Sequence, residues 1–381
     1  MHSMFTKTEV APLLNCRCIA ICSVGELFGG VERHIIGLLK GLRGHGIDTL
    51  LFLFYDHELA AQARSHGFEP IILPRYNSYF LSTARYMAQV LQQRQIRIVH
   101  VHGYKATVFS LLARYWYSFA ILKTEHGLLE PMVGRPVQKM YNYLYRFLDI
   151  LATRKANAIV CYVTEELQTH YRGAYHGLQS ITIPNGIASI DRLSLQRPSE
   201  FREDWFNLVI VGRLETVKGH SLAIEAIAAA SNLADLHLQI VGSGPCESEL
   251  KILAEKLNIS HKIHFLGFQR NAYNYIAYCH ALLMPSLHEG LPYTLLEAMA
   301  LGAPIIASQV GGLAEVLQND ITALLIPPGN SEALAQSIRR LYSDPELRCR
   351  LAKNAQQLQQ TQFSLEKMIQ RYLSAYQKLL N

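Results

Sequence analysis

The sequence predicts an α/β protein with two doubly wound domains, each built on a parallel sheet. The chain has 381 residues, enough for two domains of ordinary size, and half of them are hydrophobic while 17% are charged. Short apolar, β-branched runs alternate with helix-length segments along the whole chain. Such runs are typical of parallel strands that are buried on both faces of a sheet.

The apolar runs fall into two groups, which predicts one sheet in each half of the chain. The first group comprises Cys18–Val24, Thr49–Phe54, Pro70–Leu73, Ile96–Val101, Ala120–Lys123, Ala158–Val163 and Ile181–Ile183, and the second comprises Leu208–Val211, Leu236–Val241, Ile263–Leu266, Ala281–Met284, Ile305–Ala307 and Ala323–Ile326.

The predicted domain boundary lies between Ser189 and Asp204, where the periodicity is lost and Ser, Pro and charged residues accumulate. We therefore predict a first domain at residues 1–188 and a second at 189–362. The tail, 363–381, is predicted to be an amphipathic helix. Its apolar residues recur at helical spacing: Leu365, Met368, Ile369, Tyr372, Leu373 and Tyr376.

Apolar runs and cysteines in the sequence predict the cellular location of the protein. The sequence has no run of about 18 apolar residues, as a membrane-spanning helix requires, and Met1–Asn15 lacks the apolar core of a secretory signal. The seven cysteines are scattered without a CxxC pair, and Cys16, Cys18 and Cys22 are predicted to be buried in a strand. We expect a reducing, cytoplasmic location.

The positive charge is confined to the first half of the chain. Residues 1–190 contain 19 Lys and Arg against 12 Asp and Glu, a net charge of +7, and many tyrosines. Arg135, Lys139 and Arg146 flank apolar residues at helical spacing between Met140 and Leu148. This pattern indicates contact with an anionic membrane surface or ligand, or else a modest solvated excess of charge and a core-facing helix.

Ligands of open parallel sheets bind beyond the carboxyl ends of the strands, so the residues that follow each apolar run are the candidates for a binding site. Gly29 and Gly30 precede a helix, where backbone N–H groups can approach an anion, although a plain tight turn explains them equally well. His126 follows the fifth run beside Gly127. It is either a polar group that faces a cleft or a histidine bonded to its own loop, and His100 and His102 are interpreted as polar strand-end residues.

The second half has a stronger pattern for binding a diphosphate. Arg213 ends a strand, Lys218 follows five residues later, and a helix pattern comes next. Arginine offers a bidentate fork, lysine a point charge and the helix its free N–H groups.

Two glutamates eight residues apart follow the run that ends at Met284. Glu289 lies in a glycine loop, Pro292 suits the first helical turn, and Gly302 suits the carboxyl-terminal cap. Glu297 lies within an apolar helix, where a buried carboxylate needs a partner. That partner is a pair of sugar hydroxyls or a salt bridge within the domain.

Taken together, these residues resemble the retaining nucleotide-sugar glycosyltransferases of family four, which have the GT-B fold of two Rossmann-like domains facing a central cleft. The resemblance spans nearly the whole chain, in this order: Gly29-Gly30-Val31-Glu32-Arg33, His126-Gly127, Pro184-Asn185-Gly186-Ile187, Val211-Gly212-Arg213 with Lys218-Gly219, Val241-Gly242-Ser243-Gly244-Pro245, Glu289 with Glu297, and Gly311-Gly312 with Glu315.

The resemblance implies roles for several of these residues. Arg213 and Lys218 would hold the donor diphosphate, Glu297 the ribose hydroxyls, and Glu289 the transferred sugar, as a positioning group or as a nucleophile. The backbone N–H groups of Gly290 and Leu291 would lie near the sugar or phosphate. From the first domain, Gly29 and Gly30 would close on the diphosphate and His126 would meet the sugar. The catalytic set would be His126, Glu289, Arg213 and Lys218.

The implied activity is the transfer of a sugar from a nucleotide-diphosphate sugar to a glycan or lipid-linked glycan, in the synthesis of cell-surface polysaccharide or lipopolysaccharide. No Asp-x-Asp motif is present, so we expect neither a metal nor another cofactor. We expect an anionic membrane surface as a possible partner, with the protein peripheral on the inner face of the cytoplasmic membrane, and no nucleic-acid partner. Two alternatives remain: a GT-B nucleotide-sugar epimerase and a non-enzymatic two-lobed binding protein.

Overall fold

The computed structural model describes residues 18–25, 29–74, 80–127 and 136–380, and for 136–142 it describes the backbone only. Within these ranges the chain forms two parallel sheets flanked by helices, which confirms the predicted fold class. Predictions made for Met1–Asn15, Cys16 and Arg135 lie outside the described residues.

The first sheet has seven strands in the described part of the chain. They are β1 (Cys18–Ser23), β2 (Asp48–Leu53), β3 (Ile71–Ile72), β4 (Ile98–His102), β5 (Ala120–Glu125), β6 (Ile159–Tyr162) and β7 (Ser180–Thr182). Their order is β3-β2-β1-β4-β5-β6-β7, and all neighbours are parallel.

The second sheet has six strands among the described residues, in the order β10-β9-β8-β11-β12-β13, and is also parallel. They are β8 (Phe206–Val211), β9 (Leu236–Val241), β10 (Ile263–Gly267), β11 (Ala281–Met284), β12 (Ile305–Ser308) and β13 (Leu324–Ile326). Each strand of both sheets overlaps one of the apolar runs in the sequence.

The helices connect successive strands and cover the sheets. They are α1 (Gly30–Gly44), α2 (Glu58–Ser65), α3 (Phe80–Gln93), α4 (Tyr104–Ala113), α5 (Pro136–Lys155), α6 (Glu165–Tyr171), α7 (His220–Ala229), α8 (Glu247–Lys256), α9 (Ala272–Tyr278), α10 (Tyr293–Leu301), α11 (Gly311–Val316), α12 (Ser331–Ser343), α13 (Pro345–Gln362) and α14 (Leu365–Leu380).

Local chemistry explains where several helices begin and end. The side chains of Thr164, Asn330 and Asp344 accept backbone N–H groups at the starts of α6, α12 and α13. Gly302 ends α10 with a φ of 61°, as predicted for its cap. The prediction for Pro292 was wrong by one residue: its ψ of 140° is extended, so it precedes the helix, which begins at Tyr293.

The last helix, α14, packs against the first domain. Its residues Met368, Ile369 and Tyr372 join the core that β1 and α1 form. Gly41 of α1 allows this close approach, because a Cβ atom there would lie 2.3 Å from Cγ1 of Ile369. A further core cluster contains residues of both domains, including Tyr171, Leu291 and Leu295. The two sheets are therefore joined through apolar contacts as well as through the chain.

Candidate functional site

The strand order reverses between β1 and β4 in the first sheet and between β8 and β11 in the second. Ligands of open parallel sheets bind beyond the carboxyl ends of the strands at such reversals. The predicted site residues lie there. Gly29 and Gly30 follow β1, His126 follows β5, Arg213 and Lys218 follow β8, and Glu289, Gly290, Leu291 and Glu297 follow β11.

The carboxyl ends of the strands of the two sheets meet directly at these residues. A Cβ atom on Gly290 would lie 2.8 Å from the carbonyl oxygen of His126, so only glycine fits without movement. The side-chain amide of Asn185 donates to the carbonyl of Leu291 at 2.8 Å, and its oxygen lies 3.0 Å from Nδ1 of His34. The predicted residues of both domains therefore lie next to one another.

Lys218 and Glu289 form an ion pair at the edge of the second sheet. The ammonium nitrogen lies 2.7 Å from Oε1 and 2.9 Å from Oε2 of the carboxylate. The hydroxyl of Ser286 also donates to Oε1, at 2.8 Å. Glu289 is buried and held from two sides, while the Lys218 side chain remains partly exposed. This arrangement fixes a carboxylate and a cation at the reversal between β8 and β11.

Arg213 differs from Lys218 in its exposure. Its guanidinium pairs with Glu215 at 2.8 Å, and 66% of its side chain is exposed. It lies on the loop that leads to Gly219, where a φ of 69° and a close contact with the carbonyl of Pro285 require glycine. Helix α7 begins at the next residue, so its N-terminal N–H groups lie close to Lys218 in sequence.

Glu297 is 1% exposed, and its partner is Arg33, which forms an ion pair with Oε1. The sequence predicted either sugar hydroxyls or a salt bridge within the domain. The cation instead comes from α1 of the first domain. Burial raises the pKa of Glu297, and the charge of Arg33 opposes that rise. A side-chain hydrogen bond with Tyr273 also opposes the rise in the pKa of Glu297.

The glycine pair starts α1 as predicted, but its first N–H group is already occupied. The backbone N–H of Gly29 donates to Oε2 of Glu32 at 2.8 Å, which is the half of a capping box that a glycine can make, since it has no side chain to return the bond. A Cβ atom on Gly30 would lie 3.8 Å from the ring of Tyr293 in the second domain. An anion that binds Gly29 therefore replaces the carboxylate of Glu32.

Three histidines of the first domain cluster at the edge of the first sheet. Nδ1 of His102 lies 2.9 Å from Nε2 of His126, and the ring of His34 contacts both rings, with centroids 5.3 and 4.8 Å away. Behind them, His100 bonds Tyr376 and Thr124. Among the described residues, His126 bonds His102 at the end of the neighbouring strand β4, and the loop after Gly127 lies outside them.

Burial keeps these histidines neutral. It lowers the pKa of His34 to about 4 and holds the pKa of His100, His102 and His126 well below the ordinary value. Because the rings also face one another, protonating one disfavours protonating the next. The cluster therefore presents uncharged hydrogen-bonding groups at neutral pH.

In the described part of the chain, His34, His102 and His126 form one group that could be considered for a metal ion. Their nearest ligand atoms lie within 4.8 Å of one another. Nitrogen ligands around tetrahedral zinc are closer, about 3.4 Å apart for bonds of about 2.1 Å. Two of the rings are bonded to each other instead. His102 and His126 thus share a hydrogen bond, whereas His34 bonds Asn185 and meets the other two rings by ring contacts alone.

A second contact between the domains lies beside this site. Both carboxylate oxygens of Glu315 accept backbone N–H groups at the start of α6, from Glu165 at 3.0 Å and Glu166 at 2.6 Å. Gly312 packs so closely on the carbonyl of Gly290 that a Cβ atom would lie 2.2 Å from it. These contacts explain why position 312 is a glycine and position 315 a glutamate.

Sequence reasoning did not assign roles to Arg33, His34 or Ser286. Arg33 and His34 follow the glycine pair directly, so their place in the first turn of α1 was the available signal. Ser286 precedes Glu289 by three residues in the same loop.

Two doubly wound parallel-sheet domains that meet at the carboxyl ends of their strands make up the GT-B fold. The model of the family described as Glycosyltransferase Family 4 matches residues 28–189 of the chain. The model of the family described as Glycosyl transferases group 1 matches residues 191–358. The chain belongs to the group 1 glycosyltransferases.

Known proteins resemble the chain over different lengths. An uncharacterised glycosyltransferase of Methanocaldococcus jannaschii is 24% identical, covering 92% of this chain and 95% of its own. The lipopolysaccharide core biosynthesis glycosyltransferase LpsD of Rhizobium meliloti is 32% identical over 50% of this chain and 53% of its own. The crystal structure of Anabaena HepE with UDP-glucose has a TM-score of 0.80, with 20% identity, and covers 95% of this chain and all of HepE.

Proposed function

We propose that this glycosyltransferase moves a sugar from a nucleotide-diphosphate sugar to a glycan or lipid-linked glycan acceptor, with retention of configuration and without a metal. The observation that carries the proposal is the Lys218–Glu289 pair, held where the strand order reverses between β8 and β11. The next residue, Gly290, lies against the backbone of His126 in the other domain. The complex of HepE with UDP-glucose supports a nucleotide-sugar donor.

The charges of the site suit the departure of a diphosphate. Breaking the bond between sugar and phosphate leaves positive charge on the anomeric carbon and adds negative charge to the diphosphate. Lys218, Arg213 and the N-terminus of α7 would stabilise that negative charge as it develops. No Asp-x-Asp motif is needed, because these groups supply the positive charge that a metal ion supplies elsewhere.

Retention would follow if the acceptor hydroxyl attacks the face from which the diphosphate leaves. A leaving phosphate oxygen then takes the hydroxyl proton, so no protein base is required. Glu289 would position the sugar, because its carboxylate is already bonded to Lys218 and Ser286. His126 would contact the sugar from the first domain as a neutral group.

The first domain would bind the acceptor and the membrane surface. Four side chains of α5 that were predicted to face either the core or an interface are exposed: Leu144, Tyr145, Phe147 and Leu148. Tyr143 and Leu151 are exposed as well, and we call these six residues the α5 patch. Exposed aromatic residues on a domain with a net charge of +7 suit an anionic bilayer. None of the described helices is long and apolar enough to cross a membrane.

A peripheral position on the inner face of the cytoplasmic membrane would bring the protein to lipid-linked acceptors. The relationship to a lipopolysaccharide core glycosyltransferase supports a cell-surface glycan as the product. The histidine cluster and the α5 patch belong to the same domain, so an acceptor held at the membrane would approach the donor from that side.

The experiment that tests the proposal is a screen of nucleotide sugars with glycan and lipid-linked acceptors, read as nucleotide release. Proton NMR of the product gives the anomeric configuration, which should match that of the donor. Lys218→Ala is the control, and its release should be slower by about tenfold to a hundredfold or more. Absence of release with every donor and acceptor pair contradicts the proposal, and an inverted product contradicts retention alone.

The same screen distinguishes the two alternatives. An epimerase would convert the nucleotide sugar without an acceptor, and a binding protein would retain it unchanged. Incubating the donor alone and analysing the sugar nucleotide therefore decides between transfer, epimerisation and binding.

A further inference from the structure

His102 and His126 share one hydrogen bond at the carboxyl end of the first sheet. His102 is the last residue of β4, His126 follows β5, and 2.9 Å separates Nδ1 of His102 from Nε2 of His126. His102 is 1% exposed, whereas His126 is partly exposed and its carbonyl lies against Gly290 of the second domain. The buried ring therefore supports the ring that borders the other domain.

The direction of this bond decides which nitrogen of His126 carries a hydrogen. Burial holds the pKa of both side chains well below the ordinary value, so each ring is neutral and has one N–H group. If Nδ1 of His102 donates, Nε2 of His126 is the acceptor and Nδ1 of His126 carries the hydrogen. If Nε2 of His126 donates instead, its Nδ1 is left as a lone pair. Within the described residues the side chain of His126 is bonded through Nε2 alone, so Nδ1 is the nitrogen that a ligand would meet.

The remaining nitrogen of His102 distinguishes the two directions. Its Nε2 is buried and forms no hydrogen bond among the described residues. If His102 accepted at Nδ1, this nitrogen would hold a buried N–H group without an acceptor. If His102 donates, it holds only a lone pair, and a buried N–H group without a partner is the rarer of the two in folded proteins. The hydrogen bonds therefore favour donation by His102.

The third ring of the cluster, that of His34, does not reverse this direction. The side-chain nitrogen of Asn185 donates to the carbonyl of Leu291, so its oxygen accepts the Nδ1–H group of His34. Nε2 of His34 is then a buried lone pair, and it takes no hydrogen bond from Nε2 of His102. His34 therefore gives Nε2 of His102 no acceptor.

We propose that His102 is a positioning residue for His126: its Nδ1–H group donates to Nε2 of His126 and so makes Nδ1 of His126 a donor to a hydroxyl oxygen of the transferred sugar. This inference rests on the proposed function, in which His126 contacts the sugar. His126 touches the substrate as a hydrogen-bond donor, and His102 acts through it. No proton is transferred, because the bond fixes one tautomer of a neutral ring.

Nitrogen NMR of the full-length protein tests the tautomer directly. The protonated and unprotonated nitrogens of a neutral imidazole differ widely in chemical shift, and protein with isotope-labelled histidine at neutral pH reports both. His126→Gln identifies the signals of His126 by their disappearance. Nδ1 of His126 should carry the hydrogen and Nε2 should not. A hydrogen on Nε2 of His126, wholly or in equal share, overturns the inference, and this measurement needs no substrate.

Kinetics test whether His102 acts through His126. His102→Leu remains apolar and buried but cannot donate. Its kcat/KM for the donor should fall about threefold to tenfold, the effect of one neutral hydrogen bond, with KM for the acceptor within about twofold. In a His126→Gln background the same change should alter kcat/KM by less than about twofold, because its target is gone. His102→Asn, whose amide can donate from nearly the position of Nδ1, should recover most of the loss.

His100→Gln is the matched control, because it replaces a buried histidine of the same strand that bonds Tyr376 and Thr124 rather than His126. It should leave the tautomer of His126 and the turnover unchanged. Equal losses for His102→Leu with and without His126, or no recovery by His102→Asn, overturn the inference. If no pair of donor and acceptor gives nucleotide release, the proposed function fails, whereas the NMR measurement still tests the bond between the two rings.

Discussion

The ammonium nitrogen of Lys218 lies 2.7 Å from Oε1 of Glu289, so that this cation is already paired before any diphosphate is present. Arg213, five residues earlier, is paired with Glu215 and remains mostly exposed. Replacing the two cations should therefore have similar effects on catalysis and different effects on folding.

Lys218→Ala and Arg213→Ala should each lower turnover about tenfold to a hundredfold or more, because each removes a charge-assisted contact with the diphosphate. Lys218→Ala also leaves the nearly buried Glu289 with only Ser286 as a partner, which should cost about 1–3 kcal/mol of unfolding free energy. Arg213→Ala should change it by less than about 0.5 kcal/mol. Steady-state kinetics and thermal denaturation provide the measurements.

Arg202→Ala is the control for this pair, because Arg202 forms an exposed ion pair with Asp204 at the opposite end of β8. It should leave turnover unchanged. If Lys218→Ala and Arg213→Ala both behave like Arg202→Ala, the diphosphate assignment is wrong.

The packing of α14 on α1 gives a prediction about stability. Gly41→Ala should lower the unfolding free energy by about 1–3 kcal/mol, because the new methyl group would overlap the buried side chain of Ile369. Gly44→Ala, in the same helix, meets no atom within 4 Å and should raise stability by up to about 1 kcal/mol. Thermal denaturation should show shifts of opposite sign, and equal shifts would contradict the packing.

Local patterns were enough to predict the sheets, because each strand overlaps a short apolar run and the residues on either side of the run show where it ends. They were also enough to place Glu289 and Glu297 at one strand end. The partner of Glu297 could not be predicted, because Arg33 lies in the other domain and only the folded chain brings it near. The histidine cluster needed the same information, since α1, β4 and the end of β5 each supply one ring.

The buried histidines predict a loss of stability in mild acid. The pKa of His34 is about 4 in the folded protein and 6.5 in an ordinary histidine. Between these values the unfolded chain binds a proton on His34 and the folded protein does not. The contribution of neutral His34 to the free energy of unfolding is fully present above pH 6.5 and is lost as the pH falls from 6.5 towards 4. At pH 5 the loss of unfolding free energy due to His34 is about 2 kcal/mol.

His34→Gln should remove this contribution, so its Tm should fall less between pH 7 and pH 5 than that of the unsubstituted protein, by roughly 4 °C or more. His176→Gln, which changes an exposed histidine, serves as the control and should follow the unsubstituted protein. Parallel decreases of Tm in all three proteins would refute the assignment of a neutral His34.

Chelation of metal ions should leave activity in place. The charges proposed to act on the diphosphate are those of Lys218 and Arg213. Of the histidines considered for a metal, His102 and His126 are bonded to each other and His34 is bonded to Asn185. Turnover in EDTA should therefore remain within about twofold of the untreated value, a change of about 0.4 kcal/mol in barrier. A complete loss of activity that added metal restores would show that the proposal of metal-independent transfer is wrong.

The α5 patch predicts that the protein binds anionic vesicles. Phe147, with 61% of its surface exposed, and Tyr143 should enter the bilayer interface, helped by the basic excess of the first domain at about 1 kcal/mol per nearby cation. Co-sedimentation with phosphatidylglycerol vesicles at low salt should therefore recover the protein in the pellet. Replacing both residues by serine should weaken binding by tenfold or more, since each aromatic ring contributes about 1–2 kcal/mol.

The matched control is Phe268→Ser, because Phe268 is 68% exposed but lies in the second domain, away from α5. That variant should pellet like the unsubstituted protein, and raising the salt concentration should release both, since screening weakens the attraction to anionic lipid. If the unsubstituted protein stays in the supernatant at low salt, the exposed aromatic residues do not bind a membrane. The acceptor is then better sought among soluble glycans, which approach the first domain without a bilayer.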